Sequence, residues 1–134
     1  MSRKIAREKA MQVLFQIELT NVDPEEAMKN VLEESELDEK SKAFSRMLIQ
    51  GTLEKLDQVD EKIKESAHKW QLERIGNVEK TVLRMGAYEI LYLEEIPNAV
   101  AINEAITLVK VYSTEKAAPF VNGILDKIAN GKSN

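Results

Sequence analysis

Residues 117–128 read AAPFVNGILDKI, and two signals in this stretch pull in opposite directions. Val121, Ile124, Leu125 and Ile128 recur at i, i+3, i+4 and i+7, the spacing of a helix that buries one stripe. Inside the same window stands Asn122-Gly123, a pair that ordinarily marks a turn. The apolar recurrence predicts a helix, the last of the chain. At about 100° per residue, Phe120 then falls roughly 90° from the centre of the stripe. A large aromatic at the edge of a buried face, on a first helical turn, is either packed sideways or held out for a ligand.

The rest of the chain repeats the helical period. Ala6, Ala10, Val13, Leu14 and Ile17 form the core stripe of a first helix over about residues 3–20. Asp23-Pro24-Glu25-Glu26 opens a second, with Asp23 as cap, Pro24 in the first position and Glu26 placed for a capping box. Asp38 caps a third, whose Phe44, Met47, Leu48 and (past Gly51) Leu56 face inward. Val59, Ile63, Ala67 and Trp70 continue as a fourth. Gly76-Asn77 breaks the chain, and Asn77 is placed to cap a fifth helix. That fifth helix is apolar nearly all round over residues 82–93, the mark of a helix enclosed by others. Ile102, Ala105, Ile106 and Val109 build a sixth. No run alternates long enough for a strand, so the sequence predicts one all-α domain, residues 1–134, of about seven short helices.

Composition narrows the function. A chain of 134 residues with 43% hydrophobic content suits one domain with a real core. It has no cysteine and a single histidine, His68, so thiolate metal sites and disulfides are excluded and a histidine-centred triad has little to work with. MSRKIAREKA at the N-terminus holds no apolar run of a signal peptide, and no segment approaches membrane-spanning length. A soluble cytoplasmic protein is expected. Net charge is −4, but it is unevenly spread. Nine acids (Glu18, Asp23, Glu25, Glu26, Glu33, Glu34, Glu36, Asp38, Glu39) face the single base Lys29 over residues 18–39, whereas Arg3, Lys4, Arg7 and Lys9 face only Glu8 over residues 1–10. An acidic body with a basic end lets a small basic surface act locally.

No phosphate loop, His-Glu-x-x-His or Gly-x-Ser-x-Gly occurs. Glu25/Glu26 and Glu94/Glu95 are sequence neighbours that diverge on a helix, and His68 has no assignable catalytic partner. Arg84, Glu89 and Glu104 interrupt the two most apolar helices; an internal ion-pair network is favoured over a catalytic set, because a buried charge must be paired. The first helix holds another anomaly. Phe15 lies roughly 150° from the centre of its core stripe, with Met11 on the same outward side and Lys4 a step along it. Either another helix covers that side or it is an exposed patch for a partner.

Four stretches together resemble the NusB family of transcription antitermination factors: RKIAREKAMQVLFQ at 3–16, NVEKTVLRMGAYEI at 77–90, IPNAVAINEAI at 96–106 and FVNGILDKI at 120–128. The resemblance implies a helical fold of two small packed bundles, no catalysis, no cofactor and no metal. It implies pairing with NusE, a small-subunit ribosomal protein, and binding by the pair of single-stranded boxA RNA in nascent ribosomal transcripts. The assembly would join the RNA polymerase elongation complex with other Nus factors and suppress premature termination; no membrane is involved. Residue by residue, the family's basic N-terminal segment falls on Arg3, Lys4 and Arg7, and its RNA-facing aromatic on Phe120. Lys116 is the nearest charge before Phe120, because Ala117, Ala118 and Pro119 carry no polar side chain. Phe15 and Glu79 match positions facing NusE, and Met11 shares the side of Phe15. Phe120 thus becomes a stacking platform for an unpaired base. Asn122 either contacts RNA or ties the preceding loop, and Gly123 either admits RNA or permits close helix packing, the packing reading being slightly preferred.

Overall fold

A computed structural model of the chain describes residues 2–67 and 72–131. His68 and Trp70 lie outside the described residues. Seven α-helices follow in order: α1 (Ser2–Thr20), α2 (Pro24–Leu32), α3 (Glu39–Glu54), α4 (Leu56–Ala67), α5 (Asn77–Tyr92), α6 (Asn98–Tyr112) and α7 (Ala118–Gly131). Single 3-10 turns at Leu72–Arg74 and Glu115–Ala117 precede α5 and α7. No strand occurs among the described residues. α1, α2 and α3 form one small bundle and α4 to α7 a second, joined where α5 packs on α1 and α3.

The helix boundaries have local causes. Asp38 accepts a hydrogen bond from the Ser41 amide at 2.8 Å, and Asp23 accepts one from Glu26 at 3.2 Å with Pro24 behind it. Each satisfies an amide that the first turn would leave without a partner. α1 ends on Asn21, whose φ of 59° is the left-handed conformation that asparagine adopts more readily than most residues. Two boundaries differ from the sequence expectation. Gly76 occupies the cap position of α5 and Asn77 is already helical, so Asn77 supplies no side-chain cap. The third helix stops at Glu54, and Leu56 opens α4 instead of continuing α3.

Helix α5 is the centre, as its all-round apolar sequence predicted. Thr81, Val82, Leu83 and every residue from Met85 to Ile90 are buried. Helices approach it closely at its glycine: a Cβ added to Gly86 would lie 3.1 Å from Leu125 of α7 and 3.7 Å from Ala105 of α6. α3 makes a tighter approach through Gly51, where an added Cβ would stand 2.1 Å from the Tyr88 ring and hydroxyl. Gly51→Ala should therefore destabilise the fold by about 1–3 kcal/mol through overpacking, although alanine is the better helix former. Denaturant unfolding measures it, and an unchanged midpoint would show that Tyr88 is free to move aside.

Candidate nucleic-acid interface and partner face

The opening contradiction resolves in favour of the helix. α7 runs without interruption through Asn122-Gly123, and Val121, Ile124, Leu125 and Ile128 are all buried. Phe120 is half-buried, resting on the core from the edge of the stripe. The preferred packing reading of the Asn-Gly pair does not hold. A Cβ at Gly123 would meet nothing within 4 Å, and the exposed Asn122 side chain ties no loop. The loop is closed instead by Thr114, whose hydroxyl accepts from the Ala117 amide at 3.2 Å. Lys116 is exposed on that turn.

The N-terminal bases do not share one environment. Lys4 is exposed. Arg3 is exposed but has its guanidinium 4.3 Å from the centre of the Phe44 ring, a cation–π contact. Arg7 is a correction to the solvated RNA contact expected for it. It is only 4% exposed and forks onto Glu89, with Nε 3.0 and 3.1 Å from the two carboxylate oxygens and Nη2 at 2.8 Å. Burial pushes the Glu89 carboxyl above its ordinary range while Arg7 pulls against that push. The expected Arg84–Glu89–Glu104 network is therefore split into one pair, Arg7–Glu89, and one cluster around Arg84 with Asp60, Glu18 and Lys80. Arg84 reaches both Asp60 oxygens at 2.8 and 2.9 Å and Glu18 at 2.9 Å; Glu104 joins neither. Burial also acts to raise Glu18, but Arg84 and Lys80 hold it below its ordinary range.

Met11 is the second correction: it is 2% exposed and belongs to the core. α2, α3 and α5 all pack on α1, so more of its circumference is covered than one stripe suggests. Phe15 remains half-buried. Near it the sequence reading missed a polar junction. Gln12 donates to the Tyr112 hydroxyl at 3.0 Å, and that hydroxyl donates to Glu8 at 2.6 Å. The next residue, Ser113, donates from its hydroxyl to Glu79. Leu19, one turn beyond Phe15, is 54% exposed, and Val111 is 65% exposed. Glu8 and Gln12 of α1 and Glu79 of α5 are thus each bonded to the C-terminal end of α6, through Tyr112 and Ser113.

α1 runs antiparallel to α5, pairing through Arg7–Glu89 at one end and Glu18–Arg84 at the other. α7 begins after Ser113, beside Glu79 at the N-terminal end of α5.

The sequence pattern of the NusB family matches residues 4–130. The chain belongs to the NusB family. The transcription antitermination protein NusB of Bacillus pumilus is 45% identical over 130 residues, covering 97% of this chain and 96% of its own. Its counterpart in Bacillus subtilis is 45% identical over 128 residues, with 96% and 95% covered. Among solved structures, T. maritima NusB superposes with a TM-score of 0.89 at 40% identity, over 96% of this chain and 90% of that one. A structure described as antitermination factors NusB and NusE in complex with double-stranded RNA superposes with a TM-score of 0.90 at 30% identity, over 97% of each chain. The all-helical NusB architecture expected from the sequence is the one observed. No helix among the described residues is long and apolar enough to cross a membrane, and no cluster of three His, Asp or Glu side chains there can hold a metal.

Removing one partner of the Arg7–Glu89 pair leaves a buried charge alone, so Arg7→Met and Glu89→Leu should each cost about 3–5 kcal/mol of stability. The double replacement should cost clearly less than the sum of the two. Additive losses in a denaturant-unfolding cycle would show that the two charges are not coupled.

Proposed function

We propose that this chain is a non-catalytic, cytoplasmic transcription antitermination subunit acting as a single 134-residue domain. Paired with NusE, it binds boxA-type single-stranded RNA of nascent ribosomal transcripts and joins the RNA polymerase elongation complex with other Nus factors. The observation that carries the reading is the family match over residues 4–130 combined with a half-exposed Phe120 at the edge of the α7 stripe. RNA binding is assigned to Arg3, Lys4, Lys116, Phe120 and Asn122, with Arg7 acting indirectly by anchoring α1. NusE binding is assigned to the surface of Phe15 and Glu79, extended to Gln12, Leu19 and Tyr112. Met11 supports that surface from within.

The aromatic has a sharp test. Phe120→Leu keeps bulk but loses the ring face and should lose about 1–3 kcal/mol of RNA affinity, whereas Phe120→Tyr should keep most of it. Equal affinity of the leucine and wild-type proteins would make Phe120 a packing residue. Duplex RNA serves as competitor, and tighter binding of the duplex would overturn the single-strand preference.

Phosphate contacts are counted by salt. For a single strand each neutralised phosphate adds about 0.7 to the logarithmic salt slope, so Arg3→Ala with Lys4→Ala should flatten it by at most about 1.4. An unchanged slope would remove the basic end from the interface. On the other face, Phe15→Ala should weaken the NusE pair by on the order of 2 kcal/mol, read by calorimetry, while RNA stacking at Phe120 persists. A wild-type affinity for NusE in that variant would rule out the assignment.

A further inference from the structure

Phe120 and Asn122 stand on opposite flanks of α7, about 160° apart at 100° per residue, so they cannot hold the same base. Asn122 instead faces a groove of about 470 Å³ between α6 and α7. Asn103, Ile106 and Lys110 recur along the α6 wall, while Ala118, Pro119 and Asn122 form the α7 wall and Glu115 closes one end. The buried Ala118 and half-buried Ile106 give the groove an apolar floor. The side chains of Asn103, Lys110, Glu115 and Asn122 are exposed and make no hydrogen bond or ion pair among the described residues. The groove is shallow and open to solvent, and it combines an apolar floor with amides that have no partner among the described residues.

The outer surface of α7 connects the two flanks. Going round the helix from Phe120, Gly123 and then Pro119 come before Asn122. Glycine inside a helix is destabilising relative to alanine, and here packing does not require it, because an added Cβ meets open space. A bare backbone at that point is a low saddle between platform and groove.

We propose that the α6–α7 groove binds a second unpaired base of the same RNA strand whose other base stacks on Phe120, with the strand crossing α7 over Gly123. This rests on the RNA-binding reading above. Ile106 and Pro119 contact the base face, and the Asn103 and Asn122 amides, each donor and acceptor, meet its edge. Lys110 takes the adjoining phosphate. Glu115 accepts hydrogen bonds only, so the groove favours a base whose exocyclic amino group adds a donor that uracil, with N3–H alone, lacks.

The test uses the full chain with NusE and a set of boxA RNAs, each lacking one base but retaining its phosphate. Two positions should prove sensitive in the wild-type protein. Phe120→Ala should abolish the sensitivity of one, and Asn103→Ala with Asn122→Ala that of the other; uracil at the second position should weaken binding. Gly123→Gln should raise the melting temperature yet lower RNA affinity by about tenfold, the scale of one lost stacked base. A groove variant with wild-type affinity and both sensitive positions intact overturns the second site. Wild-type RNA affinity in Gly123→Gln overturns the crossing, and loss of NusE affinity in the groove variant would make the groove a protein contact. Absence of RNA binding by the wild-type pair at low salt would defeat the functional reading itself.

Discussion

A helix packed on every side leaves no solvent for a charged group, and α5 carries Glu89 in its buried half at 1% exposure. Desolvating that carboxylate without a partner costs several kcal/mol, so the fold must deliver a cation to it. Arg7 comes from α1, 82 residues earlier in the chain, and answers with a fork of hydrogen bonds. The pair therefore positions α1 against α5 and joins the two bundles. Glu18 with Arg84 and Lys80 adds a second tie towards the other end of α1. With α1 held at both ends, Gln12 meets Tyr112 of α6, and the face around Phe15 has a fixed shape. A single buried charge thus constrains a surface it never touches.

The helices themselves were legible because burial of one stripe imposes a 3.6-residue period on each segment independently. Asp23 and Asp38 could be read as caps since capping is a contact over three residues. Asn77 was misread because Gly76 beside it can take the cap position through backbone conformation alone. The ion pairs mark where local reading stops. Arg84 and Glu89 were recognisable as charges needing partners, but Asp60 and Arg7 as those partners depend on how distant helices cross. Met11 failed for a related reason: a helix contacted by four others buries more than its strongest stripe. At the candidate site, the aromatic edge position of Phe120 was legible, whereas the groove beside Asn122 required α6 to be placed. At Gly123 the sequence leaves RNA contact and close packing both open, with packing slightly preferred, and the open space around an added Cβ removes the packing reading.

The fate of Arg7 changes how the charge distribution should be understood. In the sequence it belongs to a basic terminus; in the fold its charge is neutralised inside the protein, and Arg3 lies against Phe44. The body that remains is acidic, with net charge −4 for the whole chain. A polyanion would approach such a body against a weak overall repulsion. Lys4, Lys110 and Lys116 make no ion pair among the described residues; Lys4 is on α1, whereas Lys110 lines the α6–α7 groove with Glu115, next to Lys116. On the reading proposed above, affinity for RNA on this scaffold comes mainly from ring faces and amides, whose contributions survive salt, with the few cations setting position. That division suits a subunit that reads unpaired bases while a second protein adds further surface. The platform and groove proposed for RNA both border α7, whose segment from Ala118 to Leu125 carries no charged side chain.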